Sequence, residues 1–329
     1  MEVTNKYVTL KTHVEGAPKE SDFELKTSLL ALSLNPGSGE MIMKNLYVSI
    51  DPYPLNRMKR YCSSQRTGPG FEGITRQEIE AYGVAKVVVS DNVEFEKGDV
   101  VVGVITWAEY SKIRRNKMIR KLDPLGFPFS YHVGILGYCG LTAYAGFFEI
   151  CKPKRGEKVL VSAASGSVGN LVGRYAKLHG CYVVGCAGSK QKSFFLCLFL
   201  SMDGYFPDGI DIYFDNVSGD MQEAAVANMN TFGRVAVCGV ISEYIDSEKK
   251  AAPDVLDVIY KRMKIQGFLA GDHAGLFQDF VSTTSNHPHS GELCPLEDIS
   301  DGLDSIPFAF TGLFWGDNIG KKIVKIAKE

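Results

Sequence analysis

The sequence predicts an α/β fold: a doubly wound parallel sheet preceded by a strand-rich region. Three observations carry this. A short apolar strand, a glycine-rich turn, a helix and a second strand follow one another between Lys158 and Ala187, which is the order of a βαβ unit. Strands then alternate with helices as far as Ala270, the pattern of a parallel sheet covered on both faces. The first 110 residues read instead as strands and turns, a separate, β-rich body.

Taken in order, Val8–Val14, Met41–Ile50, Tyr82–Ser90 and Asp99–Ile105 are rich in Val, Ile and aromatics and are punctuated by Gly, Pro, Asn and Asp. They predict strands of a partly open barrel or folded sheet. KIRRNKMIRK (112–121) carries six basic residues in ten and reads as a solvated edge. Gly134–Ile150 is continuously apolar with small residues at close intervals, which predicts a buried helix. Lys158–Ser162 is a strand, LVGRYAKLHG a helix and Cys181–Ala187 a strand. Ile210–Asn216 is a further strand, followed by a helical stretch to Asn230. Arg234–Cys238 and Ile265–Ala270 complete the set.

Composition excludes several classes. The 329 residues are 45% hydrophobic and 22% charged, with a net charge of −2. This is the profile of a globular protein, with no field favouring nucleic acid or an anionic membrane. The longest apolar run, Phe194–Leu200, has seven residues, against ~20 for a membrane span. MEVTNKYVTLKTHVEG has neither the basic nor the apolar region of a secretory signal. The eight cysteines, at 62, 139, 151, 181, 186, 197, 238 and 294, form no C-x-x-C. They read as buried thiols in a reducing compartment. His287 and His289 lie in a turn-rich stretch without partners at ligand spacing, so no metal site is expected.

The turn after the first parallel strand, AASGSVG, contains Ala164-x-Gly166-x-x-Gly169. This is a relative of the dinucleotide fingerprint with Ala in the first glycine's place. Gly166 lets the backbone approach a pyrophosphate, Gly169 lets the helix pack close to the strand, and the helix N-terminus offers N–H groups and a positive dipole end. Ala163, Ala164, Ser165, Gly166, Val168 and Gly169 are the candidate contacts. At the end of the second strand an NAD protein usually has an acid for the ribose hydroxyls. Here Ala187 leads into Gly188-Ser189-Lys190-Gln191-Lys192, whose cations suit a 2′-phosphate, so NADPH is favoured over NADH.

At this point the chain resembles the plant NADP-dependent 2-alkenal (double-bond) reductases, zinc-independent members of the medium-chain dehydrogenase/reductase superfamily. The motifs are NLYVSIDPY, AYGVAKVV, GDVVVGVITWAEYS, LGYCGLTAYAGFFEICKPKRGEKVLVSAASGSVG, GCYVVGCAGSKQK, GIDIYFDNV, GRVAVCGVISEY, VIYKRMKIQGF and LFWGDNIGKKI. The resemblance implies a Rossmann-type sheet at 129–284 binding NADP(H), and a β-rich GroES-like catalytic domain from 1–128 and 285–329. It implies a cytoplasmic homodimer, and hydride transfer from NADPH to the β-carbon of an α,β-unsaturated aldehyde or ketone. Zinc-dependent relatives have G-H-E where this chain has Gly70-Phe71-Glu72-Gly73, and the cluster of four cysteines is missing. A phenol, protonated at neutral pH with its reference pKa of ~10, is then the group to polarise or protonate. The resemblance points to Tyr53 and Tyr82 for substrate and to Tyr244 beside the nicotinamide. Tyr244 or water protonates the α-carbon. Gly188, Lys192, Asn216, Cys238, Phe268, Leu269, Ala270 and Asn318 carry over as cofactor contacts. A quinone reductase of the same superfamily, and a non-catalytic isoform, remain the alternatives.

Two stretches depart from the family pattern. Only residues 188–209 lie between the second and the next parallel strand, where a crossover needs ~10–12 residues and two crossovers plus a strand are expected. The sheet is therefore predicted to lack one strand–helix unit, which would leave an edge and an apolar face. Tyr205 falls near the position of a cofactor-contacting tyrosine of the family. The second departure is 274–295, without the charged helix end expected there. Asn216-Val217-Ser218 matches a glycosylation acceptor by chance, at a strand end.

Overall fold

The computed structural model describes residues 1–59, 78–114, 119–187, 204–246, 250–290, 293 and 295–328, the side chains of 287–290 excepted. The chain forms two compact units. One comprises Met1–Gly134, Glu297–Phe314 and Lys322–Glu329; the other comprises Ile135–Leu296 and Trp315–Lys321.

In the first unit β1 (Glu2–Leu10) and β2 (Phe23–Ala31) form an antiparallel pair, with Glu2 opposite Ala31 and Leu10 opposite Phe23. The strand expected at Val8–Val14 thus starts earlier and stops at Leu10. β2 has no counterpart in the sequence reading, because its apolar–polar alternation runs only over Phe23–Lys26 and is interrupted by Thr27 and by the adjacent Leu29, Leu30 and Ala31. β3 (Glu40–Ser49) lies at the centre of a seven-stranded sheet. After α1 (Pro54–Met58) come β4 (Glu80–Ser90), β5 (Val100–Thr106), β6 (Tyr110–Arg114) and β7 (Arg120–Lys121). β4 and β6 both pair antiparallel with β3. The basic run becomes part of this sheet: Lys112 pairs with Glu40 at 3.1 Å and Lys121 with Asp99 at 2.8 Å. Residues 115–118 lie outside the described residues.

The second unit opens with α2 (Tyr138–Tyr144), continued by a π-helical turn over Ala145–Cys151. This corrects the single helix expected from Gly134. The small residues serve close packing. A Cβ on Gly140 would meet the Ile135 carbonyl oxygen at 1.9 Å, and one on Gly146 would meet the rings of Phe268 and Phe214. Five parallel strands follow: β8 (Lys158–Val161), β9 (Tyr182–Gly185), β10 (Ile210–Asp215), β11 (Met229–Val237) and β12 (Lys264–Gly267). Their spatial order is β12-β11-β10-β8-β9, every neighbouring pair parallel. The direction of winding therefore reverses between β8 and β10. The connections carry α3 (Ser167–Leu178), α4 (Asp220–Ala227), α5 (Ile241–Ile245) and α6 (Val255–Tyr260). β11 starts five residues before the expected Arg234.

Among the described residues the sheet ends at β9, and Tyr182 on it is 50% exposed. The stretch expected to lack a strand–helix unit lies largely outside the described residues, at 188–203. Beside β9, Phe206 is buried among Cys186, Ile210 and Tyr213 and meets the Tyr182 ring edge-on at 5.8 Å. The stretch that departs from the pattern near the C-terminus contains α7 (Phe277–Ser290), whose Phe280 is fully buried and whose Thr284 hydroxyl lies 2.7 Å from that of Tyr175.

The chain then returns to the first unit with β13 (Glu297–Asp301), α8 (Ile306–Leu313) and β14 (Lys321–Lys325), the last antiparallel to β3. Phe310 of α8 packs edge-on against Trp107 and Phe23, at 5.3 and 5.8 Å. Among the described residues no helix is long and apolar enough to cross a membrane, and no group of His, Cys, Asp and Glu could hold a metal.

Candidate functional site

The reversal point between β8 and β10 is where open parallel sheets leave a crevice at their carboxyl ends. The glycine-rich turn stands there. Ala163 takes a left-handed φ of +49°, which folds the chain back so that the Gly166 N–H reaches the Ala163 carbonyl oxygen at 2.9 Å. Gly169, in the first turn of α3, seats the helix on this turn: a Cβ there would lie 2.3 Å from the Ala163 oxygen. A Cβ on Gly166 would meet that same oxygen at 3.1 Å and no other non-neighbouring atom within 4 Å. Its outer side is open among the described residues. The first N–H groups of a helix lack intrahelical partners, so the α3 N-terminus can take an anion there.

Ala in place of the fingerprint's first glycine has a structural counterpart. A Cβ on Gly185 would come within 2.6 Å of the Ala164 Cβ, so the side chain absent from β9 is what makes room for the one present in the turn. The Ala164 N–H donates to the Cys186 carbonyl oxygen at 2.8 Å. Sequence reading missed Gly185; the substituted glycine was the only signal for it.

A segment distant in sequence closes onto the turn. The Gly320 N–H donates to the Ser165 carbonyl oxygen at 2.7 Å, and Gly166 and Gly320 form an isolated parallel bridge. The Asn318 amide donates to the Gly320 carbonyl oxygen at 2.8 Å. Asn318 is thereby held beside the glycine-rich turn.

Asn216 follows β10. Its backbone N–H donates to the Ser162 hydroxyl and its side-chain amide to the Ser162 carbonyl oxygen, both at 2.8 Å. Ser162, at the end of β8, therefore couples the two strands where they part. Asp215 beside it is fully buried. Its Oδ1 accepts from the Tyr213 hydroxyl at 2.7 Å and from the N–H groups of Val217 and Ser218 at 3.0 and 2.8 Å; its Oδ2 accepts from Gln222 at 3.0 Å. Burial raises its pKa above the ordinary carboxylate value, and the Ser218 N–H is the largest opposing influence.

Cys238 follows β11, its N–H donating to the Asp215 carbonyl oxygen at 2.8 Å. Burial pushes its thiol up to about 12, so at neutral pH it is a neutral contact and no nucleophile. Gly239 comes next, and a Cβ on it would lie 4.0 Å from the Tyr244 hydroxyl. The phenol of α5 therefore reaches back over the end of β11. Phe268 follows β12 and meets the Phe214 ring edge-on at 6.2 Å. Leu269 is exposed, whereas Ala270 is buried with Leu141 and Phe280.

Ala163–Gly166, Val168, Gly169, Asn216, Cys238, Tyr244 and Asn318 thus gather along the carboxyl ends of β8, β10 and β11. Gly188 and Lys192 lie outside the described residues, as does Gly70–Gly73. Tyr205 is described and is 54% exposed. Tyr53 and Tyr82 belong to the other unit. Tyr53 precedes α1 and is 42% exposed; Tyr82 lies on β4 and is 9% exposed.

Comparison with known proteins fits this geometry. A family model described as the N-terminal domain of oxidoreductase matches residues 6–122. The 2-alkenal reductase (NADP(+)-dependent) of Nicotiana tabacum is 44% identical over 100% of this chain and 99% of its own. That alignment spans 346 positions, 17 more than the 329 residues here. (+)-Pulegone reductase of Mentha piperita is 40% identical over 99% of this chain and 100% of its own. Among solved structures, CurA from Vibrio vulnificus in complex with NADPH has a TM-score of 0.86 and 30% identity, covering 98% of this chain and all of that one. The fingerprint turn, the parallel sheet with its reversal point and this full-length similarity place the chain in the family of the plant NADP-dependent 2-alkenal reductases, within the medium-chain dehydrogenase/reductase superfamily.

Proposed function

We propose that this protein reduces the carbon–carbon double bond of α,β-unsaturated aldehydes and ketones with NADPH. The oxidoreductase class, the C=C bond and the cofactor follow from the relatives. The carbonyl substrate class and the residue roles are our reading. The observation that carries it is the convergence of the Gly166 turn, Asn216, Tyr244 and Asn318 at the reversal point of the sheet.

Bound NADPH supplies the hydride that goes to the β-carbon. The turn Ala163–Gly169 and the α3 N-terminus hold the pyrophosphate, because Gly166 presents backbone without a side chain. Lys192 and Gly188, outside the described residues, are assigned to the 2′-phosphate from the sequence alone. Asn216, Cys238, Phe268, Leu269, Ala270 and Asn318 line the remainder of the cofactor. The Tyr244 hydroxyl donates a hydrogen bond to the substrate oxygen as negative charge develops there, and it or water delivers the proton to the α-carbon. Tyr53 and Tyr82 contact substrate from the domain built from 1–128 and 285–329; the cofactor domain is 129–284. No metal enters this scheme: the phenol takes the place of a Lewis acid.

The protein acts as a homodimer in the cytoplasm. Five free thiols among the described residues support a reducing compartment. β12 ends the sheet opposite to β9, beside the exposed side chains of Val255, Leu256, Ile259, Tyr260, Ile265 and Leu269. An edge strand beside an apolar patch is a surface on which a second copy can pair about a two-fold axis. Sedimentation of Ile265→Lys against the parent protein tests this: a dimeric variant would exclude the edge.

The short interval between β9 and β10 favours a second reading, a chain of this family that has lost its cofactor. Calorimetric titration with NADPH and NADH decides. NADPH-selective binding supports the reductase; folded protein that binds neither supports the non-catalytic descendant.

A further inference from the structure

We infer that Ser218 and Glu243 form a clasp that positions Tyr244. This rests on the reading of Tyr244 as the group acting at the substrate oxygen. α5 is only five residues long and has no buried residue. Its five residues are all half-buried, and a helix this short is not stable on its own. Polar contacts to neighbouring segments therefore matter to its place.

Contacts of Ile241, Ser242 and Glu243 run to the loop Asn216–Gly219, and Glu243 also reaches Ala251. The Ile241 N–H donates to the Asn216 carbonyl oxygen at 3.3 Å, and the Ser242 N–H to the Val217 carbonyl oxygen at 3.1 Å. The Ser242 hydroxyl reaches that same oxygen at 2.6 Å. The Ser218 hydroxyl donates to Glu243 Oε1 at 2.8 Å, and Oε1 also accepts from the Ala251 N–H at 3.1 Å. Glu243 thus ties three segments together: the loop after β10, the helix bearing Tyr244, and the chain leading into α6.

The loop is itself built to present Ser218. Ser218 takes a left-handed φ of +64° and is buried, and Gly219 follows at φ +57°, ψ −142°, a conformation open to glycine. The buried Asp215 holds this turn through the N–H groups of Val217 and Ser218. The left-handed serine aims its hydroxyl at Glu243, and the residue after Glu243 is Tyr244, whose hydroxyl lies over Gly239. Neither Ser218 nor Glu243 touches the reacting atoms in this scheme. Both are positioning residues.

The test uses the full-length protein with Glu243→Ala, Glu243→Gln, Tyr244→Phe and the Glu243→Ala/Tyr244→Phe pair. Gln keeps the Oε1 acceptor for both donors, whereas Ala removes it. Without cofactor, amide exchange of peptides covering 240–246 is expected to quicken roughly tenfold in Glu243→Ala and to return in Glu243→Gln, with β10 and β11 unchanged. With NADPH and an alkenal, kcat is expected to fall about tenfold in Glu243→Ala and to recover in Glu243→Gln, while NADPH affinity stays within twofold. In the Tyr244→Phe background Glu243→Ala is expected to cost nothing further. Unchanged exchange overturns the clasp. Faster exchange with unchanged kcat, or an equal loss in both backgrounds, reduces Glu243 to a structural residue. Full activity in Tyr244→Phe overturns both the role of Tyr244 and the clasp, whereas loss in Tyr244→Phe with none in Glu243→Ala sinks the clasp alone.

Discussion

Replacing Gly169 by alanine adds a single methyl group at the point where α3 meets the glycine-rich turn. The added Cβ would sit 2.3 Å from the Ala163 carbonyl oxygen, 2.8 Å from the Ala163 carbonyl carbon and 3.0 Å from the Ala164 Cα. All three are backbone atoms, which no side-chain rotation can move aside. Ordinary contact begins near 3.4 Å, so the turn and the helix start must separate by roughly 1 Å, an overpacking that typically costs about 1–3 kcal/mol. The displaced N–H groups are those that face a bound pyrophosphate. Losing one hydrogen bond to a charged group costs about 1.5–3 kcal/mol, or roughly 10- to 100-fold in affinity. Calorimetric titration with NADPH measures this directly. The control lies one helical turn further on. Among the described residues a Cβ on Gly173 would meet only Val183 Cγ1, at 4.0 Å, and Gly→Ala within a helix stabilises by about 0.8–1 kcal/mol. Gly173→Ala should therefore raise the melting temperature and leave NADPH affinity unchanged. NADPH affinity in Gly169→Ala within twofold of the parent, or an equal loss in Gly173→Ala, would refute the close-approach argument.

Three further outcomes follow from the same geometry. Tyr244→Phe removes a hydroxyl that acts as acid or hydrogen-bond donor, so kcat for an alkenal should fall by about 10²-fold or more with NADPH affinity unchanged, as read by steady-state kinetics and titration. Lys192→Ala should weaken NADPH by at least about tenfold, the scale of one charge-assisted contact, and leave NADH nearly untouched; equal effects on both would exclude a 2′-phosphate contact. His132 is buried, with Nε2 3.1 Å from the Pro124 carbonyl oxygen, and burial holds its pKa below 6.5. The unfolded chain then binds the proton more readily than the native one, so this contribution is complete above about pH 6.5 and is lost as pH falls toward the native pKa. Melting temperatures between pH 7 and 5 should drop less steeply in His132→Gln; parallel curves would show that His132 does not carry this dependence.

Local pattern made much of the cofactor half legible. Lys158–Val161, the AASGSVG turn and the helix after it could be read because strand, turn and helix each have a short-range signature, and Gly166 and Gly169 stand at the spacing that the backbone chemistry demands. β2 was not legible. Its alternation runs only over Phe23–Lys26 before Thr27 and the adjacent Leu29, Leu30 and Ala31 interrupt it, and pairing with β1 makes it a strand. The π-helical turn at Ala145–Cys151 was hidden for a related reason: a continuous apolar run does not say how it winds. The shortened stretch 188–209 was read by counting, since a crossover has a minimum length.

What the sequence by itself determined are the features set by neighbouring residues: the parallel sheet and the glycine-rich turn that opens its first helix. The tertiary structure alone decided which distant groups meet. It placed Gly185 against Ala164, Gly320 and Asn318 beside Ser165, and Ser218 against Glu243. None of these pairings has a period or a spacing, because each depends on where the carboxyl ends of separate strands come to rest once the core around Phe214 and Tyr213 has packed. Residue order sets local backbone preference, whereas convergence at a site is set by burial and hydrogen bonding across the whole sheet.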